Sequence, residues 1–237
     1  MKKFNWIFLP MLLAIALIGA YIMNQPDEEK DEKVITALGD SLTYGLGDAK
    51  GNGYTDALEE QLNRDHAEAV YRTKSYGIVG LESGGLIKRL AEPKLARSVA
   101  HSDYVIIFIG TNDLVNSTKE HHLMHLSPDR AGAAKKEYLE NLDHMIDGVK
   151  TLNQDVPIIL IGLYNPYPES GRKIEHYIDD WNKSVYSLAK HKRNVAYIPT
   201  NNLFKDKEKD EYFFDELHVN DKGYDLIADR IANNYHF

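Results

Sequence analysis

Cysteine is absent from this chain of 237 residues. Without a thiol, the chain has no disulfide framework, no thiolate metal site, no cysteine nucleophile and no lipid-modified cysteine as an anchor. The sequence also lacks a Gly-x-Ser-x-Gly elbow, the nucleophile signature of the α/β-hydrolase fold proper. These absences exclude several common kinds of covalent and metal-dependent enzyme.

An excess of positive charge is missing as well. Lys and Arg number 28 against 36 Asp and Glu, which gives a formal net charge of −8 and a pI of about 5.7. Proteins that bind nucleic acid usually carry a basic face, so this balance argues against nucleic acid as a partner. The length suits one sizeable domain with a short appendage.

The predicted appendage is the N-terminal segment. Lys2 and Lys3 precede an uncharged run over residues 6–23. As a helix this run would span about 27 Å, close to the roughly 30 Å hydrocarbon core of a membrane. The basic flank orients Lys2 and Lys3 toward the cytoplasm. We therefore predict that residues 1–26 form a signal-anchor, or a signal peptide cleaved near a weak site at Ala20.

Residues 27–33 (DEEKDEK) have no apolar period and are predicted to be a charged linker. The globular domain is then expected over residues 34–237. With this orientation the domain lies outside the cytoplasm, anchored to the cell membrane by the N-terminal helix, or secreted if that segment is cleaved.

From residue 34 onward, short β-branched runs alternate with segments of helical periodicity. This alternation predicts an α/β fold with a five-stranded parallel sheet between layers of helices. The predicted strands are residues 34–38, 70–76, 104–109, 158–161 and 195–198. The predicted helices are residues 53–65 and 86–99, apolar stripes over 138–152 and 174–188, and a last helix from Asn220 as N-cap. Residues 203–211 (LFKDKEKDE) are predicted to be a solvated loop.

Residues with catalytic chemistry follow the ends of these strands. Ser41 follows the first strand in Gly39-Asp-Ser-Leu42, and Asp215-Glu-Leu-His218 follows the fifth. Ligands of such sheets bind outside the carboxyl ends of the strands, so these side chains are expected to converge. Ser41 would be the nucleophile and His218 the general base. Asp215 would orient the imidazole. Taken singly, each residue has a simpler explanation as a turn, cap or surface residue.

An acyl-transfer site also needs donors for a developing oxyanion. The candidates are the side-chain amide of Asn112, after the third strand, and the backbone N–H groups of Gly80 and Ser41. Gly80 has no Cβ to block a close approach. Turn formation would equally explain Gly80 and Asn112.

Together, Gly39-Asp-Ser-Leu42, Gly80, Gly110-Thr-Asn-Asp113 and Asp215-Glu-Leu-His218 resemble the four sequence blocks of the SGNH (GDSL-type) hydrolases, in the family's order. The resemblance implies a three-layer α/β/α flavodoxin-like fold and a bacterial lipase, acylhydrolase or esterase. It also implies Ser41, Asp215 and His218 as the triad, and Ser41, Gly80 and Asn112 as the oxyanion hole. In two departures from the family pattern, Ser75 replaces a frequent Asn and Val219 a frequent Pro.

Two further segments lie near the expected site. Tyr164, Asn165 and Tyr167 follow the fourth strand and are candidates for a substrate pocket, although turn formation around the neighbouring prolines explains them equally. Residues 114–130 form a long predicted connection, which we interpret as a rim or lid. His121 and His125 within it have chelate spacing but lack a His-Glu-x-x-His pattern, so no metal is predicted.

The sequence thus predicts a cofactor-independent serine ester hydrolase acting outside the cytoplasm on a small-molecule or lipid ester. Two alternatives stay open. The same site would serve a carbohydrate or peptidoglycan O-acetylesterase. More remotely, the sheet edge could bind a phosphate or flavin without chemistry, although Asp40 would repel a phosphate there.

Overall fold

The computed structural model describes residues 31–118, 127–167 and 172–237, and its strands form one five-stranded sheet in the order β2-β1-β3-β4-β5. The pairs β1–β3, β3–β4 and β4–β5 are parallel. The strands are β1 (Asp31–Gly39), β2 (Ala69–Gly77), β3 (Tyr104–Phe108), β4 (Ile158–Ile161) and β5 (Val195–Ile198). The prediction of an α/β fold with this sheet is confirmed, although β1 begins at Asp31, three residues before the predicted strand.

Two apolar layers cover the sheet. The central strands are buried on both faces because almost every residue in them is apolar: all of β4 and all but the first residue of β3 are buried. One core cluster joins the sheet to helices α3, α4, α6 and α7, and the other joins it to α1, α2 and α9. The helices are α1 (Ser41–Tyr44), α2 (Gly53–Asp65), α3 (Ser83–Arg89), α4 (Pro93–Ala100), α5 (Thr111–Asn116), α6 (Pro128–Leu152), α7 (Arg172–Lys190), α8 (Lys209–Tyr212) and α9 (Asp221–Asn234).

The prediction of a single helix over residues 86–99 is wrong. Two helices replace it, α3 ending at Arg89 and α4 beginning at Pro93. Proline has no N–H for an intrahelical hydrogen bond, but it fits the first position of a helix, so it begins α4 rather than continuing α3.

Residues 203–211 are not the solvated loop that their charge suggested. A 3-10 helix covers Asn201–Leu203 and α8 begins at Lys209. Between them, Phe204 is completely buried, with its ring 5.0 Å from that of Tyr164 and 5.1 Å from that of Phe213. The contacts of Phe204 with the other two rings hold this segment against the core. The charged side chains around it stay at the surface.

Other predictions fall partly or wholly outside the described residues. The apolar run over residues 6–23 lies outside them, as do His121 and His125. Of the predicted connection over residues 114–130, the described parts include the end of α5 and the beginning of α6. Within residues 31–118, 127–167 and 172–237, no helix is long and apolar enough to cross a membrane.

Candidate active site

Ser41 begins α1, a helix of four residues that follows β1 directly. Asp40 caps this helix, because its Oδ1 accepts a hydrogen bond from the N–H of Leu42 at 3.0 Å. Gly45 ends it in the left-handed conformation, with φ +88°. The cap and the glycine define a tight turn at the carboxyl end of the sheet, and Ser41 is 4% exposed there.

His218 connects Ser41 to Asp215. Its Nε2 lies 2.9 Å from the hydroxyl oxygen of Ser41, and its Nδ1 lies 2.8 Å from Oδ2 of Asp215. Ser41 and His218 are 177 positions apart in the chain. The structure therefore brings together the three residues predicted as a triad, and the imidazole can accept a proton from the hydroxyl on one side while the carboxylate holds the other.

The loop that carries Asp215 and His218 is closed by the backbone. Phe213 and Val219 form an antiparallel bridge, and the N–H of Phe214 donates to the carbonyl of His218 at 2.9 Å. Oδ1 of Asp215 accepts from the N–H groups of Leu217 at 2.8 Å and His218 at 2.7 Å. These bonds fix the direction of the carboxylate before it meets the imidazole.

The same hydrogen bonds determine the charge of Asp215. Partial burial by itself would raise the pKa of this carboxyl. Donation from the backbone and ring of His218 and from the N–H of Leu217 outweighs that effect and holds its pKa below the usual range. Asp215 is therefore ionised at neutral pH and can stabilise an imidazolium.

The candidate oxyanion donors lie on neighbouring segments. Gly80 has φ +76° and follows Val79 in a turn in which the N–H of Leu81 donates to the carbonyl of Ile78 at 3.2 Å, as in a type II turn. Nδ2 of Asn112 donates to the carbonyl of Leu81 at 3.0 Å, which ties Asn112 to this turn.

Asn112 also faces the residue before the serine. Its Nδ2 donates a long hydrogen bond of 3.5 Å to Oδ2 of Asp40, which is weaker than the bond to Leu81 and which a stronger acceptor, such as an oxyanion, could replace. In the described part of the chain, no acceptor is bonded to the backbone N–H of Ser41 or of Gly80. Contacts through Asp40 and Leu81 thus bring all three predicted donors to one edge of the sheet.

A buried carboxyl, Asp40, and a half-buried one, Asp113, support this edge, and sequence reasoning had not assigned a catalytic role to either. Burial raises the pKa of Asp40 to about 7; the N–H of Leu42 lowers it and Asp113 raises it further. Partial burial likewise raises the pKa of Asp113, although hydrogen bonds from the hydroxyl and N–H of Ser83 lower it in part. Asp113 thereby joins α5, which follows β3, to the start of α3.

The candidate pocket residues after β4 differ in position. Tyr164 is buried, and its hydroxyl donates to the carbonyl of Leu217 at 2.8 Å, inside the loop of His218. Asn165 is buried as well, with its Nδ2 3.0 Å from Glu175. Tyr167 is half-buried, with Nζ of Lys209 4.6 Å from its ring centre. Tyr164 and Asn165 therefore hold the surrounding segments, and Tyr167 lies closer to the surface.

A polar cleft of about 340 Å³ opens beside Asp113. Its lining includes carboxylates, an amide and a guanidinium, from Glu82, Asn116, Arg130 and Glu137. In the residues described here, no group of three or more His, Asp or Glu is arranged to hold a metal ion.

Comparison with known proteins extends these observations. Residues 37–226 match the GDSL-like lipase/acylhydrolase family. The chain is 27% identical over 204 residues to the spore germination lipase LipC of Bacillus licheniformis, covering 83% of this chain and 93% of that protein.

Solved structures show the same fold. The lipase Lip_vut3 from a goat rumen metagenome superposes with a TM-score of 0.74 at 24% identity, covering 85% of this chain and 96% of that one. The acetylxylan esterase Axe2 of Geobacillus stearothermophilus superposes with a TM-score of 0.69 at 21% identity, covering 89% and 97%. The predicted family is confirmed over most of the chain: the protein belongs to the GDSL-like lipase/acylhydrolase family and is a carboxylic ester hydrolase.

Proposed function

We propose that this protein is an extracytoplasmic serine esterase of the lipase/acylhydrolase type, which works through an acyl-enzyme on Ser41. The observation that carries the proposal is the 2.9 Å contact between Nε2 of His218 and the hydroxyl of Ser41, with Asp215 2.8 Å from the other ring nitrogen. A buried serine with a histidine at this distance and an oriented carboxylate behind it has the geometry of an activated nucleophile.

In the first half of the reaction, His218 accepts the proton of Ser41 while the hydroxyl oxygen attacks the ester carbonyl carbon. The carbonyl oxygen becomes an oxyanion, which accepts hydrogen bonds from the N–H groups of Ser41 and Gly80 and from Nδ2 of Asn112. Each such donor contributes about 2.7–4 kcal/mol to stabilising the transition state. Asp215 stabilises the imidazolium that has formed.

Collapse of the tetrahedral intermediate breaks the bond to the alcohol, which leaves with the proton from His218. The acyl group is then bonded to Ser41. In the second half, His218 takes a proton from water, the resulting hydroxide attacks the acyl carbon, and the proton returns to Ser41 as the carboxylic acid departs. No cofactor enters either half.

Labelling with a fluorophosphonate, followed by peptide mass mapping, tests this mechanism. The label is expected on Ser41, and Ser41→Ala is expected to lose the label. Its kcat on a soluble 4-nitrophenyl ester is expected to fall at least 10³-fold and up to about 10⁶-fold, the loss when a catalytic serine is removed. Ser187→Ala, at an exposed serine on α7, is the matched control. Near-normal activity of Ser41→Ala would reject the mechanism.

A second candidate is O-acetyl ester hydrolysis on a carbohydrate or peptidoglycan. The polar cleft beside Asp113 favours it, since amide, carboxylate and guanidinium groups are suited to sugar hydroxyls. Activity confined to acetyl esters in a series of rising chain length would support this candidate over the first.

The extracytoplasmic location is part of the proposal and is supported by the sequence of residues 1–26. Lys2 and Lys3 before an apolar run favour a membrane segment with the enzyme on the outer side. Protease added to intact cells is expected to degrade the domain if it is anchored outside. Protection in intact cells, together with recovery in the soluble cytoplasmic fraction, would reject this location.

A further inference from the structure

Large exposed apolar side chains occur on the chain segments that carry the candidate site. Among the described residues, five such side chains are exposed, and four of them belong to segments that carry Ser41, Gly80 or His218. We call these four the apolar rim: Tyr44, Ile78, Val79 and Phe214, which are 55%, 39%, 53% and 64% exposed. The fifth, Tyr186, is on α7, away from the rim in sequence and packed near Tyr197.

Three members of the rim belong to α1 and to the turn that presents Gly80. Tyr44 is the last residue of α1, one helical turn after Ser41. Ile78 is joined to the segment before the serine, because its N–H donates to the carbonyl of Gly39 at 3.2 Å. Val79 follows in the turn that presents Gly80.

Phe214 belongs to a third segment, the loop of the candidate general base. Its N–H donates to the carbonyl of His218, and it directly precedes Asp215. Its side chain lies against the turn that follows α1: a Cβ built on Gly47 would be 2.9 Å from Cβ of Phe214. Exposed apolar side chains therefore lie on the three segments that carry Ser41, Gly80 and His218.

Scattered single apolar side chains are common on protein surfaces, whereas their concentration around one site usually marks binding. The occupant follows from the chemistry of Ser41. In the acyl-enzyme, the acyl carbon is bonded to the serine oxygen, so a chain extending from that carbon must run over residues next to Ser41. The rim is uncharged, and a charged or strongly hydrated group would gain nothing from it.

We propose that the apolar rim is the acyl-chain subsite of this enzyme, and that the preferred substrates are esters of medium-chain fatty acids rather than acetyl esters. The inference rests on the proposed function, because it takes Ser41 as the residue that carries the acyl group. Each methylene that the rim removes from water is expected to raise kcat/KM by up to about fourfold.

The test compares kcat/KM for 4-nitrophenyl acetate and octanoate, both kept below the concentration at which the octanoate aggregates. The measured quantity is the octanoate-to-acetate ratio, for the wild type, Val79→Ser and Phe214→Ser. Tyr186→Ser is the matched control, because it removes an equally exposed aromatic ring outside the rim. Thermal unfolding of each variant shows that the comparison is made on folded protein.

We expect the wild type to favour octanoate, each rim variant to lower the ratio at least fivefold, and Tyr186→Ser to leave it unchanged. A wild type that hydrolyses only acetate, or rim variants with the ratio of the control, would overturn the subsite. The octanoate assay is repeated above its aggregation concentration, and an effect of the rim variants seen only there would also overturn the subsite and assign the rim to lipid surfaces. In all three cases Ser41 would still be labelled, whereas an unlabelled Ser41 would reject the proposed function itself.

Discussion

The imidazole of His218 is held between two side chains whose positions are fixed by backbone contacts and not by the ring itself. Asp215 uses Oδ1 for the backbone N–H groups of Leu217 and His218 and keeps Oδ2 for the imidazole at 2.8 Å. Ser41 is fixed by the cap and close packing of α1. The ring therefore needs little reorganisation to accept a proton, which is the condition for efficient general-base catalysis.

Asp215→Asn tests the tautomer that this geometry requires. The amide oxygen can replace Oδ1 in the loop, but Nδ2 then faces Nδ1 of His218. The imidazole must place its proton on Nε2 to avoid a clash of donors, and it can no longer accept the proton of Ser41. We expect kcat to fall about 10³- to 10⁴-fold with little change in stability.

Asp210→Asn, at an exposed carboxylate on α8, serves as the control and should keep its activity. Steady-state rates on a soluble ester and urea unfolding provide both measurements. A loss in Asp215→Asn below tenfold would mean that the loop backbone orients His218 without the carboxylate.

At the scale of elements, α1 depends on its neighbours. A helix of four residues is not stable alone, because too few hydrogen bonds offset the entropy of ordering it. The strand β2 supplies support: the hydroxyl of Ser75 donates to the carbonyl of Thr43 at 2.6 Å. Ser75, which departs from the family pattern, therefore holds the helix that carries the nucleophile.

Gly77→Ala tests this contact between β2 and α1. A Cβ at residue 77 would lie 2.1 Å from the backbone nitrogen of Tyr44, and backbone atoms can move away only by displacing α1. We expect a loss of about 3 kcal/mol in the free energy of unfolding, the upper part of the usual range for overpacking, and a fall in kcat in the protein that folds.

Gly51→Ala is the control, because open space surrounds the position that a Cβ at residue 51 would take. Its φ of +72° costs an alanine about 1–2 kcal/mol of backbone strain. Activity per folded molecule should then be normal. If Gly77→Ala is as stable and active as the wild type, β2 and α1 are not as close as the structure has them.

The sequence predicted elements well where apolar periodicity was strong and poorly where contacts between distant segments decide the structure. The buried strands β3 and β4 needed only a run of apolar residues. By contrast, nothing near Phe204 in the sequence indicates that it packs against Tyr164, and the bond from Tyr164 to Leu217 joins positions 53 residues apart. The residues of the candidate site were identifiable because parallel strands end at one edge.

The rim could not be predicted in the same way. Tyr44, Val79 and Phe214 lie in a four-residue helix, a turn and a loop, where hydrophobic periodicity has no meaning. Their exposure in the fold, together with the backbone contacts between their segments and those of Ser41 and His218, is what points to a common surface.

The whole molecule carries a net charge of −8 and yet buries a carboxyl completely beside its nucleophile. Asp40 is 1% exposed, and burial, partly opposed by the N–H of Leu42, raises its pKa to about 7. In the unfolded chain its pKa would be about 3.9. The folded state therefore retains a proton over a pH range in which the unfolded state releases it, and the global stability depends on pH through this residue.

Above about pH 4 the unfolded chain gains by ionising Asp40 while the folded protein does not, so this residue's contribution to stability is full at low pH and lost as pH rises toward 7. The loss is at most about 1.4 kcal/mol per pH unit. Asp40→Asn cannot titrate, and it keeps an oxygen for the N–H of Leu42.

We therefore expect a difference in the free energy of unfolding, wild type minus variant, that falls between pH 5 and pH 7 and levels off near pH 8. Urea unfolding of both proteins at four pH values measures this difference, in which shared groups that do not interact with Asp40 cancel. Asp113, whose pKa burial also raises, stays in both proteins. Parallel curves across this range would show that Asp40 is already ionised in the folded protein, and that its contacts with Leu42 and Asn112 offset the cost of burial.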